Sequence, residues 1–152
     1  MSKEPKESAI TLLHIDYTRF LLQLRDIKHW IPYPGHWGAF GGEVKSCENP
    51  QSAGLRELKE ELGYAPETIH YFRDYYLDSN AHLHVFYGDI TVPIKALRLM
   101  EGLDMGLFEL EEIYSLKLYS QKMGKSFPVP PLLGEFFQDF IAYISSSKLE
   151  QK

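Results

Sequence analysis

The chain has 152 residues, of which 44% are apolar and 24% are charged, and this composition is typical of a globular protein. This length favours one domain over 1–152 and is enough to bury a hydrophobic core. The net charge is −5 and the 16 basic residues are scattered, so the sequence shows no basic surface for a nucleic-acid polymer.

A single cysteine excludes an intrachain disulfide bond. The first residues lack the apolar stretch of a signal peptide, and no run approaches the roughly 18 apolar residues of a membrane span. We therefore expect a cytoplasmic protein that does not bind membranes. The polar residues 1–8 are predicted to form a flexible tail.

Strands are predicted first, at 9–15 and 19–25 with a short turn between them. A loop rich in proline and aromatic residues follows at 26–38, and a short strand is expected where it meets the segment after Gly42. Further strands are predicted at 67–78, 81–92 and 105–110.

Helices are predicted at 49–63, 109–116 and 130–147. In the first, Asn49 suits the N-cap and Gly63 suits the C-terminal cap. The order of strands, helix, strands and helix predicts an α+β fold, in which a mixed sheet lies between helices.

Three carboxylates share one face of the first helix. At 100° per residue, Glu60 and Glu61 fall near 300° and 40° from Glu57. Such like charges repel one another. The face is either a solvated acidic surface or a site for a hard cation such as Mg²⁺, which prefers carboxylate oxygens. Helix geometry alone leaves both alternatives open.

The wider spacing favours the second alternative. From Gly42 the segment reads Gly, five residues, Glu48, seven residues, then "RELKEELGY". It resembles the Nudix box of the Nudix hydrolase superfamily, G-x5-E-x7-R-E-U-x-E-E-x-G-U, where U is a bulky aliphatic residue. Every fixed letter matches, and Tyr64 departs only from the last aliphatic position. We call residues 42–64 the box segment.

The resemblance implies an α/β/α sandwich and hydrolysis of a nucleoside diphosphate linked to another group, with Mg²⁺ or Mn²⁺ as cofactor. It implies that Glu60 and Glu61 are the principal metal ligands. Glu57 would be a further ligand or the carboxylate that orients water.

The remaining box positions also receive roles from the resemblance. Arg56 would belong to the catalytic group and pair with Glu48, while the backbone at Gly41 would approach a metal ion. Gly42 and Gly63 would be structural.

The resemblance further implies a metal-binding carboxylate from a later loop. Glu101, which precedes a glycine, is the preferred candidate, and Asp104 and Glu112 are its competitors.

Substrate contacts are predicted from aromatic residues and histidines. Trp37 and Phe40, with Trp30 and Tyr33 before them, could stack on a nucleobase or pack in the core. Alternation in 81–92 places three side chains on one strand face that could line the substrate cleft: His82, His84 and Phe86. Two histidines at this spacing could also bind a transition metal, but no cysteine or third histidine lies nearby in sequence.

The short chain looks most like the MutT-type enzymes, so we expect a (d)NTP or related nucleotide to be hydrolysed. Alternatives are the same chemistry on a nucleotide sugar, a dinucleotide polyphosphate or another diphosphate, and a non-catalytic module that binds a nucleotide. The three intact box carboxylates argue against the non-catalytic alternative. We expect a monomer or a homodimer whose partner is the small-molecule substrate.

Overall fold

The computed structural model describes residues 6–78 and 80–150, and only the backbone of 148–150. It contains strands and helices in mixed order. In chain order they are β1 (Lys6–Ile15), β2 (Arg19–Leu24), β3 (Trp37–Gly38), β4 (Phe40–Glu43), α1 (Pro50–Leu62), β5 (His70–Leu77), β6 (Ala81–Asp89), a 3-10 turn (Ile94–Ala96), β7 (Asp104–Glu109), α2 (Leu110–Tyr114), β8 (Lys117–Ser120), β9 (Lys125–Pro128) and α3 (Pro131–Glu150).

Strand β1 is the centre of the main sheet. It runs parallel to β6 along one edge, and along the other edge it pairs antiparallel first with β4 and then with β2. Strand β5 extends the sheet beyond β6, while β3 and β7 pair with β2. The pairing of Gly41 and Gly42 with Ile10 and Ala9 brings this glycine pair to the middle of the sheet.

The two faces of the sheet carry separate apolar clusters. The cluster under α1 contains Ala9, Leu13 and Phe86, together with Leu58 and Leu62 of the helix. The cluster under α3 is mostly aromatic and aliphatic: Leu12, Phe20, Val85, Phe136, Phe137 and Phe140 are among its members. Alternating strand residues face opposite sides, which explains this division. The predicted mixed sheet between helices is confirmed.

The structure differs from the predicted elements mainly in four places, and in the first of these strand β5 begins at His70 rather than at the predicted residue 67. Strand β1 begins at Lys6, so residues 6–8 pair in the sheet and the predicted tail over 1–8 is wrong there; residues 1–5 lie outside the described part. Strand β6 ends at Asp89, before the predicted end at residue 92. The hairpin of β8 and β9 was not predicted, because four-residue strands give too short a period to recognise.

Within residues 6–78 and 80–150, no helix combines the length and apolar character needed to cross a membrane.

Candidate active site

Helix α1 begins and ends at the residues that its sequence indicates. The Asn49 side chain accepts a hydrogen bond from the backbone N–H of Ser52 at 2.8 Å, and Pro50 occupies the first turn. At the other end, Gly63 has φ 65° and its N–H donates to the carbonyl of Lys59. These caps fix where the helix starts, and therefore which of its residues point towards the sheet.

Arg56 joins the loop before α1 to the helix. Its guanidinium donates two hydrogen bonds to the Glu48 carboxylate, at 2.7 and 2.9 Å, as predicted. It also donates to the Glu43 carbonyl at 3.0 Å and to Glu57 at 2.9 Å. The hydrogen bonds from Arg56 lower the pKa of Glu48 to about 2, and those to Glu48 in turn raise the pKa of Arg56.

Arg56 also reaches the carboxylate of Glu60, at 3.3 Å. One cation therefore contacts Glu48, Glu57 and Glu60. Glu61 receives no such contact among the described residues, and its environment is different.

Glu61 is buried. Only 3% of it is exposed, and its Oε1 accepts a hydrogen bond from the backbone N–H of Gly41 at 2.9 Å. Burial, together with the negative charges of Glu57 and Glu101, raises the pKa of Glu61 to about 8. The side chain of Glu57 is 14% exposed and that of Glu60 is 47% exposed. A solvated acidic surface is therefore excluded for Glu57 and Glu61.

Burial also raises the pKa of Glu57, and the charges of Glu60 and Glu101 raise it further against the opposing effect of Arg56. Glu101 thus lies close enough to Glu57 and to Glu61 for its charge to disfavour the ionised forms of both. These groups offer only carboxylate oxygens, which are the ligands that Mg²⁺ and Mn²⁺ prefer. The donor set fits such a cation.

The two glycines of β4 have different surroundings. A Cβ added at Gly42 would lie 2.5–2.7 Å from the carboxylate atoms of Glu57, so only glycine lets this side chain lie against the strand. A Cβ at Gly41, where φ is 156°, would lie 2.3 Å from the carbonyl oxygen of Ala9. Gly42 therefore makes room for a site carboxylate, whereas Gly41 makes room for β1. A metal contact of the Gly41 backbone remains a prediction.

The three candidates for a metal-binding carboxylate from a loop after the box segment have different surroundings in the structure. Glu101 is near Glu57 and Glu61, as described above. Asp104 instead accepts hydrogen bonds from Ser120 Oγ at 2.6 Å and from the N–H of Lys122, and so holds the β8–β9 hairpin. Glu112 accepts from the N–H of Glu109 and caps α2.

Backbone hydrogen bonds hold the Glu101 segment against the end of α1. The N–H of Arg98 donates to the Leu62 carbonyl at 3.0 Å, and the N–H of Met100 donates to the Glu61 carbonyl at 2.7 Å. These two hydrogen bonds join residues that are 36 and 39 positions apart in sequence.

Gln23 is a site residue that the sequence analysis missed. It is 4% exposed, its Nε2 donates to the carbonyl of Glu101 at 3.0 Å, and its side chain lies close enough to Glu61 to favour the ionised form of that carboxyl and so act to lower its pKa. A polar residue within the apolar stretch "FLLQL" was the signal that could have revealed it, because buried amides are usually hydrogen-bonded.

Two of the predicted substrate contacts are buried in the core. Trp37 is 1% exposed, donates its indole N–H to the Leu118 carbonyl at 3.0 Å and packs against Phe108. Phe40 is fully buried under α1. Neither ring has a face open to a nucleobase, so we correct the prediction and assign both to packing. Of the preceding aromatic residues, Trp30 and Tyr33 are exposed.

His84 and Phe86 do line an open cleft of about 350 Å³ on the α1 face. The cleft lies at the beginning of α1. Its other lining residues are Asn49, Pro50, Gln51, Tyr71 and Asp74. The contact of His84 and Phe86 with a substrate remains a prediction.

Comparison with known proteins agrees with the box segment. A family profile described as NUDIX domain matches residues 5–128. No match is found among curated protein sequences.

Several solved structures share the fold. The MutT protein from Methanosarcina mazei Go1 superposes with a TM-score of 0.68 at 20% identity, over 94% of this chain and 98% of that one. A MutT NUDIX hydrolase from Burkholderia pseudomallei gives 0.60 at 26% identity, over 72% and 86%. A C. elegans Ap4A hydrolase gives 0.68 at 18% identity, over 91% and 98%.

Proposed function

The chain belongs to the NUDIX hydrolase family, and on that premise we propose that it hydrolyses the diphosphate of a nucleoside diphosphate linked to another group. The proposed cofactor is Mg²⁺ or Mn²⁺, bound by Glu57, Glu60 and Glu61 of α1 with Glu101 as a further ligand. The proposed substrate is a (d)NTP or a related nucleotide.

The burial of Glu61 beside Glu57 and Glu101 is the observation that carries this proposal. Burying one carboxylate costs free energy, and other carboxylates nearby add to that cost. A divalent cation between them would offset both costs. A merely solvated acidic surface would not require Gly42 to make room for Glu57, nor Gln23 to bridge Glu61 and the Glu101 backbone.

A bound divalent cation would supply charge neutralisation for the phosphates and a lower pKa for water. The protein residues do the positioning, which is most of what catalysis of phosphoryl substitution requires. The Gly41 N–H and the Gln23 side chain orient Glu61. The Arg56 guanidinium holds Glu57 and Glu60 and ties them to the preceding loop.

The nucleoside is proposed to bind in the cleft at the beginning of α1. Phe86 and the ring of His84 border this space, and Tyr71 packs edge-to-face on Phe86. Aromatic rings at the edge of a cleft offer apolar area on which a base can stack. The similarity to MutT structures supports a nucleotide of this class.

The experiment is a substrate panel with the products identified. (d)NTPs, 8-oxo-dGTP, ADP-ribose, NADH, diadenosine polyphosphates and nucleotide sugars are incubated with the protein at mildly alkaline pH, with Mg²⁺, Mn²⁺ or EDTA. Water labelled with ¹⁸O identifies which phosphorus is attacked. We expect metal-dependent cleavage of a (d)NTP, absent from Glu60→Gln and retained in Glu67→Gln, an exposed acid outside the site.

Cleavage of a different diphosphate in the panel would keep the reaction and replace the substrate. Metal-independent cleavage, or equal turnover in Glu60→Gln, would contradict the proposed site. Nucleotide binding without any cleavage would favour a non-catalytic binding module.

A further inference from the structure

A second group of ligand side chains lies on the α1 face of the sheet, apart from the box carboxylates. Glu7 on β1 is directly opposite His82 on β6, and His84 follows on the same face of that strand. Asp74 on β5 is opposite His84. The sheet register thus gathers residues from three strands, and we call these four residues the histidine cluster.

The two imidazole rings lie between the two carboxylates. His82 Nε2 is 2.8 Å from Asp74 Oδ2, and His84 Nδ1 is 3.1 Å from Asp74 Oδ1. On the other side, His84 Nε2 and His82 Nδ1 are 2.9 and 3.5 Å from one atom, Glu7 Oε1. All four ring nitrogens therefore face a carboxylate oxygen.

Neutral imidazoles cannot satisfy all of these contacts. Each neutral ring has one N–H donor and one lone pair, so two rings supply two donors for four nitrogen-to-carboxylate contacts. We assign both donors to Asp74, because each ring meets a separate oxygen of that carboxylate, whereas on the other side both rings share one oxygen of Glu7. The lone pairs of His82 and His84 are then left against the negative Glu7.

We propose that the histidine cluster binds a divalent transition metal of the zinc class, with His82 Nδ1, His84 Nε2 and a Glu7 oxygen as ligands. Two imidazoles and one carboxylate are a common ligand set for zinc with a fourth position open. One ligand atom from each of the three residues fits within 4.8 Å of the others. Ligands about 2.0–2.1 Å from a tetrahedral zinc ion are about 3.3 Å apart, close to the two Glu7 separations above.

Asp74 completes the arrangement. A histidine that binds a metal usually donates its other N–H to a carboxylate, which fixes the ring and its tautomer. Asp74 accepts from both rings and would orient both ligands at once. Its side chain and those of the two histidines are largely buried, with exposed fractions of 26%, 14% and 11%. Asp74 and His84 also line the open cleft, which gives an ion a route to the site.

This site differs in chemistry from the box carboxylates. Imidazole nitrogen suits zinc and its neighbours in the transition series, whereas Mg²⁺ favours oxygen ligands. The histidine cluster should therefore remain selective for Zn²⁺ when Mg²⁺ is in excess, and its existence does not depend on the proposed hydrolase activity.

The test is calorimetric titration of the chelator-treated protein with Zn²⁺ in saturating Mg²⁺, so that Mg²⁺ occupies the oxygen site. We expect one Zn²⁺ per chain for the wild type, for Glu61→Gln and for His29→Ala, which removes an exposed histidine elsewhere. Affinity should fall at least about tenfold in His82→Ala, His84→Ala and Glu7→Gln. Co²⁺ substitution should give visible absorption bands that these three variants lose.

Asp74→Asn supplies a finer comparison, because an amide keeps one acceptor oxygen and loses the other. Its Zn²⁺ affinity should fall by roughly 10–100-fold with no change in stoichiometry. Glu7 is 46% exposed, so Glu7→Gln should fold even if the histidine variants do not. No Zn²⁺ binding by the wild type, or unchanged binding by a folded Glu7→Gln, would overturn the proposal.

Discussion

The two faces of the main sheet bury different kinds of side chain. The face covered by α3 is an aromatic core, in which Phe20, Phe137 and Phe140 are fully buried. The face covered by α1 has an apolar centre but buries Glu61 and His84 at its edges. Each face buries a histidine, since His14 lies under α3, but among the described residues only the α1 face buries a carboxylate, Glu61, and burying a carboxylate is costly. The comparison indicates that the α3 face mainly provides stability, while the α1 face holds the proposed site.

The largest expected effect is on the α3 face. Phe137 packs edge-to-face on Phe20 with ring centroids 4.7 Å apart, so Phe137→Ala should lower the free energy of unfolding by about 3–5 kcal/mol. Urea denaturation measures this change. Turnover of the variant, measured while it is folded, should stay close to that of the wild type; a large loss of turnover would remove the distinction between the faces.

The next largest effect is on the α1 face, where we expect turnover to fall and stability to be kept. Glu61→Gln keeps the shape of the side chain and an acceptor for the Gly41 N–H but removes a charge from the proposed metal site. We expect turnover to fall by roughly 10²–10³-fold with no fall in Tm. A destabilised variant with normal turnover would show that Glu61 is structural.

Arg56 should affect both properties, because it links the loop to the helix and also holds site carboxylates. Arg56→Ala is expected to lower Tm by several degrees and to lower turnover as well. Arg56→Lys is the informative companion, since it keeps the charge and loses the two-pronged contact with Glu48. An unchanged Tm in Arg56→Ala would count against the structural role.

Gly41 and Gly42 are adjacent, but substitution of Gly42 should lower turnover whereas substitution of Gly41 should lower stability. In Gly42→Ala the new methyl group displaces Glu57, so turnover should fall by roughly 10–100-fold with little change in Tm. In Gly41→Ala the clash is with the backbone of β1, so Tm should fall first. Thermal unfolding and turnover are measured for both variants. If the two variants lost Tm and turnover to the same extent, the separate roles given to Gly41 and Gly42 would be contradicted.

The smallest effect concerns His14, a buried histidine on the α3 face that packs near Tyr17 and Phe140. Burial lowers its pKa below the usual 6.5, against the opposing charges of Asp89 and Asp16 and with a small contribution from His70. The unfolded chain therefore binds this proton at a higher pH than the folded protein does. The resulting stability is present above pH 6.5 and is lost as the pH falls through the folded pKa.

His14→Asn removes this titration and keeps an acceptor for the Tyr17 N–H. Between pH 6.5 and 5, the wild type should lose more stability than the variant, with an extra slope of at most about 1.4 kcal/mol per pH unit. Parallel stability curves for the two proteins would show that His14 does not contribute.

The sequence predicted those features that depend on residues close to one another in the chain. Helix α1 could be predicted from Asn49 and Gly63, because the caps lie next to the helix in the chain. The pairing of Arg56 with Glu48 followed from the resemblance of the box segment to the Nudix box. The partners of Gln23, and the approach of Glu7 and Asp74 to the two histidines, could not be predicted, since sheet register brings β1, β2, β5 and β6 together. The sequence left open whether Trp37 packs in the core or binds the substrate, because an aromatic residue next to a loop has the same local signal in both cases.

A measurement of metal binding tests the central claim most directly. The claim is that Glu57, Glu60 and Glu61 of α1 hold a divalent cation. Mn²⁺ binding is titrated by electron paramagnetic resonance for the wild type, Glu61→Gln and the Glu67→Gln control, all checked for fold. The account predicts that Mn²⁺ affinity falls at least about tenfold in Glu61→Gln and is unchanged in Glu67→Gln. Equal Mn²⁺ affinity in all three proteins would contradict it.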